Sequence, residues 1–285
     1  MFEIVSKRVL SPNITEMKVF APRVAKSAKP GQFVIVRTDE EGERIPLTIC
    51  DYDSEAGTIT IVTQAVGYSS GKINALEEGE RFVDFAGPLG RPSDLLDIPA
   101  DELKEKKILF VAGGVGTAPV YPQAKWLCEH GCRPDVIIGA KTKDLFTYVE
   151  EMKEVADVYL ATDDGSAGFH GMVPGLIDKL IGEEGRKYDH CVIIGPMIMM
   201  KFASRASVGY GIPTMVSLNA LMVDGTGMCG ACRVSVGGKT LFTCVDGPEF
   251  DASLVDFDEA MRRQAMYREN PKSNSDNHEK CKCHG

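Results

Sequence analysis

Short apolar runs, each bounded by turn residues, fill the first third of the chain. Val, Ile, Thr and Phe dominate these runs, and turn signals such as KPGQ, DEEGE and SEAG separate them. Several short strands at this spacing predict a small β-barrel over residues 1–99. The predicted strands are IVSKRVL, ITEMKVFA, QFVIVRT, RIPLTICDY, GTITIVTQAV and RFVDFAG.

The pattern changes after Pro99. Over residues 100–215, nearly continuous apolar strands alternate with helical stretches. This alternation predicts βαβ units and a doubly wound parallel sheet, whose apolar strands fit a sheet covered on both faces. The predicted strands are KKILFVAGG, PDVIIGAK, DVYLATDD, HCVIIGP and IPTMVSL, and the predicted helices are APVYPQAKWLCEHG, LFTYVEEMKEVA, VPGLIDKLIGE and MIMMKFASRASVGYG.

The last part of the chain has two different compositions. Residues 216–250 are rich in Gly and Cys and are predicted to form a small separate domain. Residues 251–285 begin with an amphipathic segment, predicted as a helix over 253–269, and end in a polar tail. The low hydrophobicity of the tail predicts a flexible segment, although its Cys281, Cys283 and His284 could bind zinc.

Charge and hydropathy narrow the functional classes. The chain has 285 residues and a net charge of −9, which argues against binding duplex nucleic acid or an anionic membrane surface. No apolar run reaches the roughly 18 residues that a membrane-spanning helix needs. The first ten residues lack the pattern of a signal peptide. We therefore expect a soluble cytoplasmic protein that binds neither nucleic acid nor membrane.

Nine cysteines need an explanation in such a protein, because disulfides are rare in the cytosol. The segment LMVDGTGMCGACRVSVGGKTLFTCVDGP contains Asp224, Cys229, Cys232 and Cys244 in the spacing D-x4-C-x2-C-x11-C. A C-x4-C-x2-C run is the plant-type spacing for a [2Fe–2S] cluster, and here aspartate stands at the first position. Carboxylate is a harder ligand than thiolate and is less usual on iron. The spacing favours such a cluster, while a zinc site and plain buried thiols stay as alternatives.

Three loops follow predicted strands of the second domain. The first, GGVGTAP, joins a buried strand to a helix, where glycine lets a pyrophosphate approach and the helix N-terminus supplies N–H groups. Ligands bind at the carboxyl ends of such strands, so the three loops predict one dinucleotide crevice. Asp163 and Asp164 would repel a 2′-phosphate, which favours NAD(H) over NADP(H). The positive charges of Lys141 and Lys143 favour NADP(H) instead. The candidate residues are Gly113, Gly114, Gly116, Thr117, Ala118, Pro119, Asp163, Asp164, Gly165, Gly195, Pro196 and Met197.

These motifs together resemble a known family. R-x-P-L-T at 44–48 and G-x-S-S at 67–70, followed by GGxGxAP, resemble the ferredoxin–NADP reductase family. The attached cysteine segment ending in CVDGP is similar to that of dihydroorotate dehydrogenase B electron-transfer subunits. Asp224 and the later segment LVDFDEAMRRQAMYRE are similar to small subunits of NADH-dependent reduced ferredoxin:NADP+ oxidoreductases, also called sulfide dehydrogenase subunits. The resemblance covers residues 1 to about 270.

The resemblance implies three cofactors: FAD in the barrel, NAD(H) in the α/β domain, and a [2Fe–2S] cluster held by Asp224 and the three cysteines. Thr48 matches the position near flavin N5 and is the residue assigned a catalytic role. The broader family has Arg where this chain has Ile45, so the neighbouring Arg44 is the candidate for the FAD phosphates. The implied FAD-binding residues are Arg44, Pro46, Leu47, Thr48, Val62, Gln64, Gly67, Ser69 and Ser70.

The resemblance also implies a partner. This is a larger iron–sulfur flavoprotein subunit, similar to the small subunit of glutamate synthase, through which ferredoxin would act. The heterodimer would couple NADH and reduced ferredoxin to NADP+ reduction by electron bifurcation, and the 253–269 helix and the barrel rim are candidate docking surfaces. Two alternatives stay open: the electron-transfer subunit of dihydroorotate dehydrogenase B, and a non-catalytic zinc-binding or redox-sensing module.

Overall fold

The first domain is an antiparallel barrel in a computed structural model that describes residues 1–266. Its strands are β1 (Ile4–Ser11), β2 (Ile14–Phe20), β3 (Phe33–Arg37), β4 (Ile45–Asp53), β5 (Thr58–Gln64) and β6 (Asp84–Leu89). They hydrogen-bond in the order β1-β2-β5-β4-β3-β6. Side chains from every strand, among them Ile4, Val34 and Ile61, meet in one apolar core. The predicted barrel is therefore confirmed, with a strand at each predicted run.

Two short helices accompany the barrel, α1 (Pro22–Ser27) and α2 (Tyr68–Ala75). Proline begins α1, where its fixed φ suits the first helical position, and Val24 of this helix packs into the barrel core. The sequence analysis predicts no helix where α2 lies. This helix buries Ile73 in the same core, so packing rather than periodicity accounts for it. A third helix, α3 (Ala100–Leu103), leads into the second domain.

The second domain is a doubly wound parallel sheet, as the alternating pattern predicts. Its strands are β7 (Ile108–Gly113), β8 (Asp135–Ala140), β9 (Asp157–Thr162), β10 (Phe169–His170), β11 (His190–Ile194) and β12 (Thr214–Ser217). Its helices are α4 (Thr117–Glu129), α5 (Val149–Val155), α6 (Val173–Asp178) and α7 (Met197–Gly209). The strand order β10-β9-β8-β7-β11-β12 changes direction between β7 and β11. Ligands bind at such a switch point, just beyond the carboxyl ends of the strands.

The cysteine-rich segment adds a hairpin and returns to the sheet. Its strands are β13 (Arg233–Val236), β14 (Lys239–Phe242) and β15 (Glu249–Asp251), and β15 pairs antiparallel with β12. The last described helix is α8 (Phe257–Ala265), whose N-terminus is capped by the Asp256 carboxylate, which accepts a hydrogen bond from the Glu259 N–H at 2.8 Å. Helix α8 starts four residues later than the predicted 253–269 helix, because residues 253–254 lie in a turn and Val255 bridges to Val236 of β13. The predicted residues beyond 266 and the tail with Cys281, Cys283 and His284 lie outside the described residues.

A cluster of hydrogen-bonded polar side chains holds the barrel against the second domain. Glu16 of β2 accepts hydrogen bonds from Arg8, at 2.9 Å, and from the Tyr148 hydroxyl next to α5. Arg8 also pairs with Glu151 of α5 at 2.6 Å. Burial at this seam raises the pKa of Tyr148, which therefore stays protonated as a donor. The seam fixes the crevice of the second sheet against the barrel.

A buried carboxyl group joins three parts of the chain. Glu249 of β15 accepts hydrogen bonds from the Ser93 hydroxyl at 2.9 Å and from the Gln123 amide of α4 at 2.7 Å. Ser93 belongs to the segment that follows the barrel. Burial raises the pKa of Glu249. The cysteine-rich segment, the second domain and the segment between the barrel and the second domain are thus tied at one point.

Replacing Glu249 with glutamine tests the role of this carboxyl group through the pH dependence of the free energy of unfolding. Because the pKa of Glu249 is raised by folding, the stabilisation from its bound proton is complete below the ordinary value of 4.5 and is lost as pH rises through the folded value. Glutamine keeps a carbonyl acceptor without the charge. Relative to wild type, Glu249→Gln is expected to gain in the free energy of unfolding between acid and neutral pH, because the variant has no carboxyl group to ionise.

Chemical denaturation at several pH values measures this gain. Glu102→Gln, at an exposed position on α3, is the matched control and should track wild type at every pH. A Glu249→Gln stability difference that does not change with pH would contradict the raised pKa of the Glu249 carboxyl group.

Candidate functional site

A tight hairpin brings two of the predicted ligands together. Cys232 precedes β13 and Cys244 follows β14, and their buried Sγ atoms lie 3.3 Å apart. The Cys244 N–H points to Cys232 Sγ at 3.5 Å, and the Thr243 hydroxyl donates to the Cys232 carbonyl at 2.9 Å. Burial raises the pKa of the Cys244 thiol to about 12. A thiolate at this position therefore needs a bound metal to compensate its charge.

The loop before the hairpin is folded around the Asp224 carboxylate. Its oxygens accept hydrogen bonds from the N–H groups of Thr226 at 2.9 Å, Cys229 at 3.0 Å and Met228 at 3.1 Å. These backbone bonds, led by that of Thr226, hold the pKa of Asp224 below its usual range. Gly227 has a φ of 85°, a conformation that favours glycine. Asp224 thus shapes the turn that presents the exposed Cys229.

The donor set suits an iron–sulfur cluster. Two buried thiols lie side by side, Cys229 is exposed nearby, and Asp224 begins the same loop. No three His, Cys, Asp or Glu side chains within residues 1–266 converge on a point as ligands of a single metal ion would. A cluster with two bridged irons spreads its ligands over a wider site and prefers thiolates. That all four predicted residues ligate iron stays a prediction.

The cysteine hairpin packs on the outer face of the barrel. The two buried cysteines share one apolar cluster with Phe33 and Ile35 of β3. Phe33 lies opposite Thr48 of β4, and Ile35 lies opposite Pro46. Directly opposed residues in antiparallel strands point to the same face, whereas Leu47, between them, packs towards the barrel core. The stretch predicted to line the flavin, residues 46–48 (the flavin stretch), and the β13–β14 hairpin with Cys232 and Cys244 (the cysteine hairpin) therefore meet on one face of the barrel.

The predicted FAD-phosphate loop forms the N-terminus of α2. The Ser70 hydroxyl accepts hydrogen bonds from the N–H groups of Val66 and Gly67, each at 3.0 Å, which closes the turn before the helix. The Ser69 hydroxyl donates to the Glu43 carboxylate, just before the flavin stretch. Gly67 has nothing within 4 Å of where a Cβ would stand. The helix N-terminus is therefore open to a phosphate group.

The other residues predicted to bind FAD differ in burial and in their contacts. Val62 of β5 is buried in the seam with the second domain, and Gln64 is half-buried at the end of the same strand. The Arg44 guanidinium donates to the Val223 carbonyl at 2.8 Å and pairs with Asp84 at 3.4 Å. Arg44 thus reaches the loop that carries Asp224, and its contact with FAD phosphates stays a prediction.

The predicted nucleotide loop joins β7 to α4 through a short turn at Gly114–Gly116. A Cβ on Gly116 would stand 2.4 Å from the Ile194 carbonyl oxygen at the end of β11, so this glycine is needed for close packing. Gly113, the last residue of β7, is buried. Gly114 has a φ of 56° and nothing within 4 Å of a Cβ position. Gly114 therefore faces the open space that a nucleotide would occupy.

Several predicted crevice residues have side chains that are buried or already hydrogen-bonded. The Thr117 hydroxyl donates to the Gly114 carbonyl at 3.0 Å, Ala118 is completely buried, and Met197 packs into the core under the sheet. These side chains leave only backbone N–H groups for a ligand. The predicted residues that keep accessible surface are Gly114, Pro119, Asp163, Asp164, Gly165, Gly195 and Pro196.

The two aspartates after β9 differ in their contacts. The Asp164 carboxylate accepts a hydrogen bond from the Ser166 N–H at 3.0 Å, and hydrogen bonding with Ser166 lowers the pKa of Asp164. Asp163 is exposed, and its carboxylate has no hydrogen bond or ion pair with residues 1–266. Asp163 is therefore the acidic group that is available to a ribose at the crevice.

Two carboxylates of the site escaped the sequence analysis. Glu43, which holds Ser69, stands beside the R-x-P-L-T motif, so its position was visible but its partner was not. Asp84 of β6 pairs with Arg37 at 2.7 Å and with Arg44. Its place in the predicted strand RFVDFAG gave no sign of these partners, because no sequence signal marks an ion pair between distant parts of the chain.

Comparison with known proteins agrees with this geometry. A family model for the iron–sulfur cluster binding domain of dihydroorotate dehydrogenase B matches residues 219–256. A Clostridium beijerinckii protein, known as an uncharacterized protein in the adh 3′ region, is 55% identical over 294 residues, which is 100% of this chain and 99% of its own. The Thermotoga maritima homolog of the dihydroorotate dehydrogenase B (NAD(+)) electron transfer subunit is 47% identical over 95% of this chain and 93% of its own.

A solved structure is similar over nearly the whole chain. It comes from a study of flavin-based electron bifurcation in the NADH-dependent reduced ferredoxin-NADP oxidoreductase. It matches with a TM-score of 0.89 and 44% identity, over 98% of this chain and 97% of that chain.

A ferredoxin-reductase-like barrel, a doubly wound sheet and an iron–sulfur domain together define an electron-transfer oxidoreductase. Within that class, the chain belongs to the family of dihydroorotate dehydrogenase B electron-transfer subunits and their homologues. These relatives are electron transfer subunits, that is, parts of a complex. No helix within residues 1–266 is long and apolar enough to cross a membrane.

Proposed function

We propose that this chain oxidises NADH at FAD and exchanges single electrons, through a [2Fe–2S] cluster, with a larger iron–sulfur flavoprotein subunit. The complex couples NADH and reduced ferredoxin to NADP+ reduction by electron bifurcation or its reverse. The observation that carries the proposal is the shared barrel face, where the flavin stretch of β4 and the buried cysteines meet. The similarity to the bifurcating oxidoreductase supports this choice of reaction.

On this proposal, the residues of the chain bind and orient the cofactors. Pro46 and Thr48, on the outer face of β4, would line the flavin, and the Thr48 hydroxyl would be the side-chain group that acts on its reactive ring. The N-terminus of α2, left open at Gly67, receives the FAD phosphates, and the Gly114 turn receives those of NADH. When bound, FAD accepts a hydride as an electron pair and releases the electrons one at a time.

The cysteine-rich segment has an inner side, which packs on the barrel, and an outer side, which is exposed. Cys232 and Cys244 are buried and pack towards the flavin strand, whereas Cys229 is exposed. We assign the inner side to electron entry from the barrel. The outer side then faces the partner subunit, through which ferredoxin acts. This polarity needs no acid–base or nucleophilic side chain, because the cofactors carry the redox chemistry.

A visible spectrum tests the proposal. The full chain is purified without oxygen, and its spectrum is recorded before and after NADH is added. Flavin bands and broad cluster absorbance are expected, and NADH should bleach both. A colourless protein that contains zinc would overturn the proposal in favour of a zinc-binding or redox-sensing module.

A second candidate is the electron-transfer subunit of dihydroorotate dehydrogenase B. The match of residues 219–256 to that enzyme's iron–sulfur domain favours it, whereas aspartate at position 224 counts against it. Purifying the tagged chain from its source distinguishes the two candidates. A partner that oxidises dihydroorotate supports the second, and a larger iron–sulfur flavoprotein supports the first.

The choice of nucleotide depends on Asp163 in this proposal. Replacing Asp163 with serine is expected to lower the preference for NADH over NADPH severalfold, because a carboxylate repels the 2′-phosphate. The measurement is kcat/KM for both nucleotides with an artificial acceptor. Asp164→Ser is the matched variant, and it should shift the preference less because that carboxylate is engaged by Ser166. Equal shifts in the two variants would contradict the assignment.

A further inference from the structure

Two arginines share one carboxylate but have different second partners. Arg37 pairs with Asp84 at 2.7 Å and donates to the Glu40 carbonyl at 2.7 Å, so all its contacts lie on the barrel. Arg44 pairs with the same carboxylate at 3.4 Å and donates through Nε to the Val223 carbonyl at 2.8 Å. Arg44, unlike Arg37, therefore connects the barrel to the loop that carries Asp224 and Cys229 (the cysteine loop).

Both ends of this connection lie beside the proposed cofactor sites. Arg44 directly precedes β4, two residues before Pro46 of the flavin stretch, and Val223 directly precedes Asp224. The loop also packs tightly on the barrel. A Cβ on Gly225 would stand 2.6 Å from Ile35 Cδ1. The loop thus rests on the barrel by close contact, and the Arg44 guanidinium holds it there.

We propose that Arg44 is a positioning residue that fixes the cluster loop against the flavin strand, and thereby sets the rate at which single electrons pass from FAD to the cluster. The inference rests on the proposed function. In the affected step, reduced FAD loses one electron and the oxidised cluster gains it, with no bond between heavy atoms made or broken. Transfer of this kind slows steeply with distance, so a looser loop has a direct kinetic effect.

The planar guanidinium suits this task. Its separate N–H groups bond the Val223 carbonyl and the Asp84 carboxylate at the same time, with a fixed angle between them. A lysine ammonium is a single point charge on a flexible stem and cannot hold both acceptors in that geometry. Arg44→Lys should therefore restore the function of Arg44→Ala only in part.

The experiment compares Arg44→Ala, Arg44→Lys and Arg37→Ala in the full chain loaded with FAD and cluster. Arg37→Ala is the matched control, because it removes the other arginine from Asp84 without touching the cysteine loop. Stopped-flow absorbance separates flavin reduction by NADH from cluster reduction. Hydrogen exchange of the Thr226, Met228 and Cys229 amides reports the order of the loop without depending on activity.

For Arg44→Ala we expect normal FAD and iron content, normal flavin reduction, about tenfold slower cluster reduction, and faster exchange of the three loop amides. Arg37→Ala should match wild type in every readout. Loss of FAD with unchanged loop exchange would overturn the proposal and assign Arg44 to the FAD phosphates. Equal effects in Arg37→Ala and Arg44→Ala would also overturn it, because they would point to Asp84 alone.

Failure of the proposed function looks different. In that case NADH would not reduce the cluster even in the wild-type protein. The exchange of the loop amides would still distinguish Arg44→Ala from Arg37→Ala. Unchanged exchange in Arg44→Ala would then overturn the role of Arg44.

Discussion

Replacing Cys232 with serine is expected to remove the cluster from the protein while FAD stays bound. Cys232 is buried, its Sγ lies 3.3 Å from that of Cys244, and both pack on the barrel face that carries the flavin stretch. Serine offers iron a poorer ligand than thiolate. Even residues that only support a ligand cost about 10–100-fold in metal affinity when replaced, so the loss of a ligand costs at least the upper value.

Iron analysis and the visible spectrum measure the effect directly. Cys232→Ser should lose its iron and its broad absorbance but keep its flavin bands, and NADH should still bleach those bands. Reduction of a one-electron acceptor should fall by about 100-fold. Cys128→Ser, on α4 in the second domain, is the control and should keep its iron. Full iron content in Cys232→Ser would mean that this thiol is not a ligand.

Local chemistry explains why this site was visible in the sequence. The C-x2-C-x11-C spacing places the three cysteines on one glycine-rich hairpin and the loop before it, and the strands that close that hairpin are only a few residues long. A short loop of this kind depends on its own residues for its shape. The roles of glycine and aspartate there follow the same local rule, as the three N–H groups held by Asp224 show.

Long-range contacts were not visible in the same way. Arg44 and Val223 are 179 residues apart in the chain, and Ser93 and Glu249 are 156 apart. No periodicity or spacing encodes which distant strand or loop a polar side chain meets. Helix α2 was missed for a related reason, since packing of Ile73 into the barrel stabilises it rather than a regular apolar stripe.

Glycines show how far a motif can be interpreted. GGVG was predicted as a phosphate-binding turn, but the structure separates its glycines by task. Gly116 is required by the neighbouring strand β11, whereas Gly114 faces open space. The sequence pattern alone cannot separate a glycine needed for packing from one needed for a ligand, because both requirements exclude a side chain.

Replacing Gly116 with alanine is therefore expected to damage the fold itself. The new Cβ would stand 2.4 Å from the Ile194 carbonyl oxygen, and a backbone atom in a central strand cannot rotate away as a side chain can. Overpacking of this kind costs up to about 3 kcal/mol in the free energy of unfolding. Because β7 and β11 border the crevice, the shift should also weaken NADH binding. Chemical denaturation and NADH titration measure the two effects.

Gly114→Ala is the matched variant, and it should lose more NADH affinity than stability. Its φ of 56° makes alanine strained by about 1 kcal/mol, but the Cβ meets nothing within 4 Å. The methyl group would instead occupy the space that NADH needs, so affinity should fall more than stability. If Gly116→Ala proves as stable as Gly114→Ala, then β11 yields at Ile194, and the close packing of the two strands is not what requires glycine at position 116.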